Sequence, residues 1–189
     1  MKNLLSIIMV LMVFSFISCN GGKSNESGTD TSAIDDAVLQ VKIGDNRTQV
    51  GEKLTSQGYK WEDDNIGITV KEKFQYDDNY FDKVVFTIFD AKVFFTAVTN
   101  TYYSEKEAIN AFEKYESKYN SKYAKFKTTK TNELCLKYSE YDDNNINLSI
   151  MLVHNEKEDV PALFQDEETL KAAKEHWDVT ITYNKSGMI

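Results

Sequence analysis

Apolar and polar residues alternate along short stretches of this chain, and the alternation comes in two cycles. Ile66, Ile68, Val70 and Phe74 alternate with Thr69, Lys71, Lys73 and Gln75, which predicts a strand over 66–76 with one face buried. Asp77-Asp78-Asn79 turns the chain, and residues 84–89 and 93–99 read as two further strands joined tightly at Asp90-Ala91-Lys92. The second cycle places strands at 123–127, 133–141 and 146–153, and a closing strand at 179–183. A side-chain period of two fixes which residues face a core, since a slip of one position would turn the whole apolar set to water.

Each cycle is preceded by a helix signal. In the segment Ile43-Gly44-Asp45-Asn46-Arg47-Thr48-Gln49-Val50, Asn46 can cap and Gln49 completes a capping box. Val50 and Leu54 share one face, and Gly58 is a suitable stop. In the second cycle Ser104 and Glu107 form another capping box, with Tyr103 placed to staple onto Ala108. Ala108, Phe112, Tyr115 and Tyr119 give that helix its apolar face. Pro161 opens a short helical stretch over 162–175.

Tyr76-Asp77-Asp78-Asn79 recurs as Tyr141-Asp142-Asp143-Asn144, and Val84, Phe86 and Ile88 match Leu148, Ile150 and Leu152. The expected fold is therefore α+β: an antiparallel sheet with helices packed on one face, built as a tandem duplication of a helix-plus-strands unit. Its halves fall at about 42–103 and 104–184 of a single domain spanning 33–189.

The N-terminus is of another kind. Lys2 precedes an apolar run of 14 residues, Leu4 to Ile17, which would span roughly 21 Å as a helix, short of the hydrocarbon thickness of about 30 Å. Ser18 then Cys19 follow, with Asn20-Gly21-Gly22 after them and Phe16 where Leu is usual. The arrangement resembles the signal peptide (1–18) and lipobox of a bacterial lipoprotein, which implies acylation of Cys19. Asn20 in place of aspartate implies, by the same resemblance, an outer-membrane anchor. Residues 19–32 carry the lipidated cysteine and a Gly/Ser/Asn/Thr tether with an r.m.s. reach of roughly 20 Å.

Charge narrows the partners. The formal net charge is −8 and Arg47 is the single arginine, so nucleic acid, which needs clustered cations, is not an expected partner. With Cys19 acylated, Cys135 has no disulfide partner, and its neighbours Leu134 and Leu136 predict a small buried thiol.

The helix-entry segment Ile43 to Val50 with Leu54 resembles that of small outer-membrane assembly lipoproteins of the BamE/SmpA type. It is also similar to that of the β-lactamase inhibitor proteins, which are tandem helix-plus-sheet repeats. Those families bind proteins without catalysis, so the resemblance implies a binding module.

No catalytic set is recognisable. The two histidines are His154, at a strand end, and His176, at the end of the 162–175 helix; no zinc spacing, nucleophile elbow or phosphate loop accompanies them. Asp63-Asp64-Asn65, Asp77-Asp78-Asn79 and Asp142-Asp143-Asn144 could offer hard oxygen ligands but lack the spacing of a calcium loop, and turn-building is the expected role. Tyr102, Tyr103, Tyr115, Tyr119 and Tyr123 cluster around the second helix, as packing or as an aromatic patch for a protein or glycan.

The expectation is a lipid-anchored envelope protein without enzyme activity, cofactor or metal, acting on an unidentified protein partner through a sheet face or groove rich in Tyr and Phe. One alternative is an inhibitor of a secreted enzyme, with the turns at Asp77 and Asp142 projecting side by side. Another is an Asp/Glu-dependent envelope hydrolase with two carboxylates in a pocket.

Overall fold

The computed structural model describes residues 34–123, 127–129, 135–143, 145–157 and 174–186. Cys19 with its tether and the body of the helix expected over 162–175 lie outside them. In chain order the elements are α1 (Arg47–Ser56), β1 (Glu62–Asp63), β2 (Gly67–Val70), β3 (Phe74–Tyr76), β4 (Asn79–Phe81), β5 (Lys83–Phe89), β6 (Lys92–Tyr102), α2 (Glu105–Lys122), β7 (Lys127–Thr129), β8 (Cys135–Asp142), β9 (Ile146–Asn155) and β10 (His176–Lys185).

The fold is α+β, with an antiparallel sheet in the order β1-β2-β5-β6-β10-β9-β8-β7 and a separate hairpin of β3 with β4. Each half is a helix followed by strands that run from an edge inward, and the two last strands, β6 and β10, meet at the centre. The halves thus share a topology. Shared topology alone does not establish a duplicated sequence.

Residue matches between the halves fit this layout unevenly. β5 and β9, which carry the matched apolar triplets, hold the same place in their halves. The Tyr-Asp-Asp-Asn tetrads differ: Tyr76–Asn79 is the tip of the separate hairpin, whereas Tyr141 and Asp142 end β8 in the main sheet. The strand expected over 66–76 is also two strands in two sheets, because the chain leaves the main sheet after Val70.

Both helices and the hairpin cover one face, where Val50, Leu54, Ile68, Phe81, Phe86, Phe112, Ile150 and Ile181 join one core cluster. Entry to α1 follows the expected capping box: the Gln49 amide donates to Asn46 Oδ1 at 3.0 Å, and the Asn46 amide donates to Gln49 Oε1 at 2.8 Å. Gly44, at φ +97°, donates its N–H to Val93 O at 2.8 Å, so the glycine of the entry segment ties α1 to the start of β6. Gly58 closes the helix at φ +82°, with the Tyr59 amide donating to Leu54 O and the Gly58 amide to Thr55 O.

Entry to α2 differs from expectation. Ser104 makes no side-chain cap, and Tyr103 is 49% exposed beside the His176 ring. The apolar face of α2 is as expected, with Ala108, Phe112, Tyr115 and Tyr119 all buried. His176 is not a helix terminus; it opens β10, paired with Asn155. Cys135 is buried.

The Asp-rich turns shape backbone. Asp64 Oδ1 accepts from the amides of Ile66 and Gly67, and Asp143 Oδ1 from those of Asn145 and Ile146. Asp143 Oδ2 also accepts from the Ile34 amide at 2.9 Å, fixing the point where the N-terminal segment joins the domain. Slight burial pushes the Asp143 pKa up, but these backbone donors outweigh it and hold the value below 3.8. The folded state then binds fewer protons than the unfolded state near that pH. The stabilisation is present above the unfolded pKa and is lost as pH falls through the folded one. Asp143→Asn is expected to flatten the pH dependence of unfolding free energy below about pH 4 and to speed hydrogen exchange at the Ile34 amide, both readable by denaturant titration and NMR.

Three tight turns place non-glycine pairs in left-handed backbone: Leu39-Gln40, Asp77-Asp78 and Asp90-Ala91, the last with φ of 48° and 61°. Aspartate tolerates this region and alanine does not. Ala91→Gly is expected to raise stability by about 1 kcal/mol in chemical denaturation.

Candidate functional sites

Three places gather polar or aromatic side chains. The first lies beside α1. Trp61 lies against this helix because Gly51 has no side chain there: a Cβ would stand 3.2 Å from the indole ring. The indole N–H donates to Thr55 Oγ1 at 3.2 Å, and 37% of the residue stays exposed. Arg47, from the first turn of α1, pairs with Asp63 on β1 and donates to Asp64 O at 2.9 Å. Together with Thr48, Glu52 and Ser56 they line an open groove of about 650 Å³. An indole beside a guanidinium–carboxylate pair offers apolar area and planar hydrogen bonding in one place.

The second place lies between α2, β10 and the hairpin. The Tyr76 and Tyr183 hydroxyls are 2.5 Å apart, and Tyr119 stands 3.4 Å from Tyr183. Burial pushes all three pKa values far above the usual tyrosine value, so these phenols stay protonated and act as neutral hydrogen-bonding groups. Asp77, at the hairpin tip, receives Lys118 Nζ on Oδ1 at 2.8 Å, and Lys118 also donates to Asp77 O. The Asp77 turn is therefore held down on α2 rather than projecting. The Asp142 carboxylate is engaged by Ser186 at 2.7 Å.

The third place is the sheet face opposite the helices. On it Ser149 meets Thr182 at 2.6 Å and Thr99 meets Thr180 at 3.1 Å, among the buried side chains of Phe95, Tyr138 and Met151. Asp178 accepts from Thr101 Oγ1 at 2.7 Å and from Asn155 Nδ2 at 3.3 Å, with His176 Nε2 3.8 Å away. Burial raises the Asp178 pKa and, nearby, lowers that of Lys83, each against the charged form. His154 stacks on Trp177 with centroids 4.9 Å apart and meets Glu175 at 2.9 Å, so the two histidines do not converge on one centre. Among the described residues no three His, Cys, Asp or Glu side chains are grouped to hold a metal ion, and no helix is long and apolar enough to cross a membrane.

Of the aromatic residues singled out around α2, Tyr115, Tyr119 and Tyr123 are buried in the core, so they form packing rather than a surface patch. Trp61, Lys83, Lys122 and Asp178 were not singled out from the sequence. Gly51 inside the first helix was the one local signal for a close approach. Asp178 and Lys83 lie in polar positions of alternating strands, which reads as an ordinary solvated face until the register is known.

Compared with protein-family models, with curated proteins and with solved structures, the chain matches none.

Proposed function

We propose that this chain is a lipid-anchored binding module of the bacterial envelope, held in the outer membrane through acylated Cys19 and engaging a protein partner without catalysis. The observation that carries the binding reading is the Trp61 groove. It is an open surface that presents Trp61 beside Arg47, and Trp and Arg are enriched among residues that dominate protein contacts. The shared topology of the two halves supports a tandem duplication as its architectural origin. The Asp178 carboxylate, on the sheet face opposite the helices, is engaged by Thr101 and Asn155, which suits a structural part.

The test has two arms. Labelled palmitate should enter the full chain and not a Cys19→Ala variant; equal labelling would overturn the anchor. In envelope pull-downs with the full chain, one specific protein should be recovered and Trp61→Ala should reduce its capture about tenfold or more. Recovery of no specific protein, or capture indifferent to Trp61, would overturn the groove as the binding surface.

A further inference from the structure

Phe89 is the most exposed large apolar side chain among the described residues, at 67%. It stands at the β5–β6 turn, edge to face with the half-buried Phe94, ring centroids 5.8 Å apart. The exposed Lys92 lies between them in the chain. The pair arises because β5 and β6 fall out of register between Thr87 and Ile88, which leaves Phe94 outside the ladder. Contiguous apolar surface on an exposed turn marks a contact with a protein or with lipid.

The point where the chain enters the domain favours lipid. Asn184 pairs with Phe95 and Lys185 with Ile146, so the β5–β6 turn, the end of β10 and the β8–β9 turn lie at one end of the sheet. The N-terminal segment joins at this same end, where the Ile34 amide donates to Asp143. It then reaches the other turn, since Gly44 donates to Val93 O and Asn46 bridges Lys92. Four strand spacings of about 4.8 Å separate β5 from β8, roughly 19 Å in all. By composition, residues 20–33 between Cys19 and Ile34 reach roughly 20 Å. A membrane that holds Cys19 is therefore within reach of the two rings, and the tether keeps them at high effective concentration against it.

Charge and shape agree with a headgroup layer. Lys42, Lys92 and Lys185 are exposed at this end. Of the acids there, Asp45 is engaged by Lys53, Asp142 by Ser186 and Asp143 by backbone amides, while Asp90 sits exposed in the turn itself. A lysine stem lies along apolar surface while its ammonium stays among phosphates. Two rings on one narrow turn fit between headgroups, whereas a stable protein contact takes about 800 Å² from each partner. Resting on the Cys19 anchor, we propose that the β5–β6 turn dips Phe89 and Phe94 into the interfacial layer of that membrane. The sheet then stands on this end, with Tyr80 and Trp177 at the end away from the lipid.

The full chain, with a hexahistidine tag inserted after Gly22, is held on vesicles of phosphatidylethanolamine, phosphatidylglycerol and a nickel-chelating lipid. The tag brings the tether to the surface whether or not Cys19 is acylated. Fluorescence is read as the difference from the parent, whose Trp61 and Trp177 give the background. In Phe89→Trp the added indole should emit further to the blue on vesicles than in solution, and its emission should be lost when the acyl chains carry bromine. Tyr80→Trp, at a ring 65% exposed beside Asn100, should emit alike on plain and brominated vesicles. Emission from position 89 indifferent to bromine would overturn the proposal and leave the pair to a protein partner. Equal quenching at position 80 would overturn it too, since the domain would then lie on lipid without a chosen end. Palmitate labelling without quenching at position 89 rejects the dipping turn alone, and quenching without palmitate labelling rejects the anchor alone.

Discussion

Alanine at position 67 is expected to cost about 3 kcal/mol of stability or more, an effect out of proportion to one added methyl group. In β2 the Gly67 backbone passes so close to β5 that a Cβ would stand 2.1 Å from the Phe86 carbonyl oxygen and 3.0 Å from Thr87 Cα. Both neighbours are backbone, so no rotamer change makes room. β2 would have to part from β5, breaking the ladder that pairs Ile68 with Phe86 and Val70 with Val84 and loosening the pairing of Ile66 O with the Ile88 amide. Urea unfolding followed by circular dichroism measures the loss. A change under about 0.5 kcal/mol, the ordinary range for surface substitutions, would show that the close approach is absent in solution.

The second large effect is at Phe81, which is fully buried at the end of the β3–β4 hairpin. Its ring stacks on Tyr115 of α2 at 5.6 Å and on Phe74 at 6.1 Å, and it meets Tyr76 at 6.0 Å. It is the apolar part of the join between the hairpin and the helix layer, beside the Lys118–Asp77 and Lys114–Asn79 contacts. Phe81→Ala removes the ring and leaves a cavity that the two-stranded hairpin is too small to refill, at an expected cost of about 3–5 kcal/mol. For a domain of this size that lowers Tm by roughly 10 °C. Phe89→Ala, at a ring 67% exposed, should shift stability by less than about 0.5 kcal/mol in the same assay. Comparable losses at the two positions would refute the hairpin's part in the core. The tyrosine cluster shares this hairpin through Tyr76, so Phe81→Ala should disorder that cluster as well.

Much of the fold was legible in the chain because the relevant relations are local. The Asn46–Gln49 box spans one helical turn, and the Ala108–Tyr119 face repeats at helical spacing; both are present as expected. The strands around 84–89, 93–99 and 146–153 follow from alternation and recur with slightly longer limits. Where local signals failed, tertiary context overrode them. Ser104 carries the residue type for a cap, but its side chain makes no cap hydrogen bond. Alternation across 66–76 continued smoothly in sequence while the backbone changed sheets. A period of two reports which residues share a face, not which sheet the face belongs to.

The sites were far less legible. Tyr76, Tyr119 and Tyr183 stand in three elements, and the contact of their hydroxyls depends on where α2 crosses β10 and on where the hairpin folds back. Trp61 meets Gly51 across a helix end and a turn, and Lys83 approaches Asp178 through the β5–β6–β10 register. Such distances are set by sheet order, which no short-range pattern encodes.

By itself the sequence determined the α+β class, the buried face of each helix and most strands, because capping and side-chain periodicity act over a few residues. It also carries the lipobox-like segment ending at Cys19, from which the proposed address follows. Only the tertiary structure decided that Tyr115, Tyr119 and Tyr183 turn inward, that the Asp-rich turns hold backbone, and that buried serine and threonine hydroxyls pair on the sheet face opposite the helices. The reason is physical: burial and hydrogen-bond partnership are properties of the packed sheet and helices, and a polar residue's role is fixed when packing sets what it can reach.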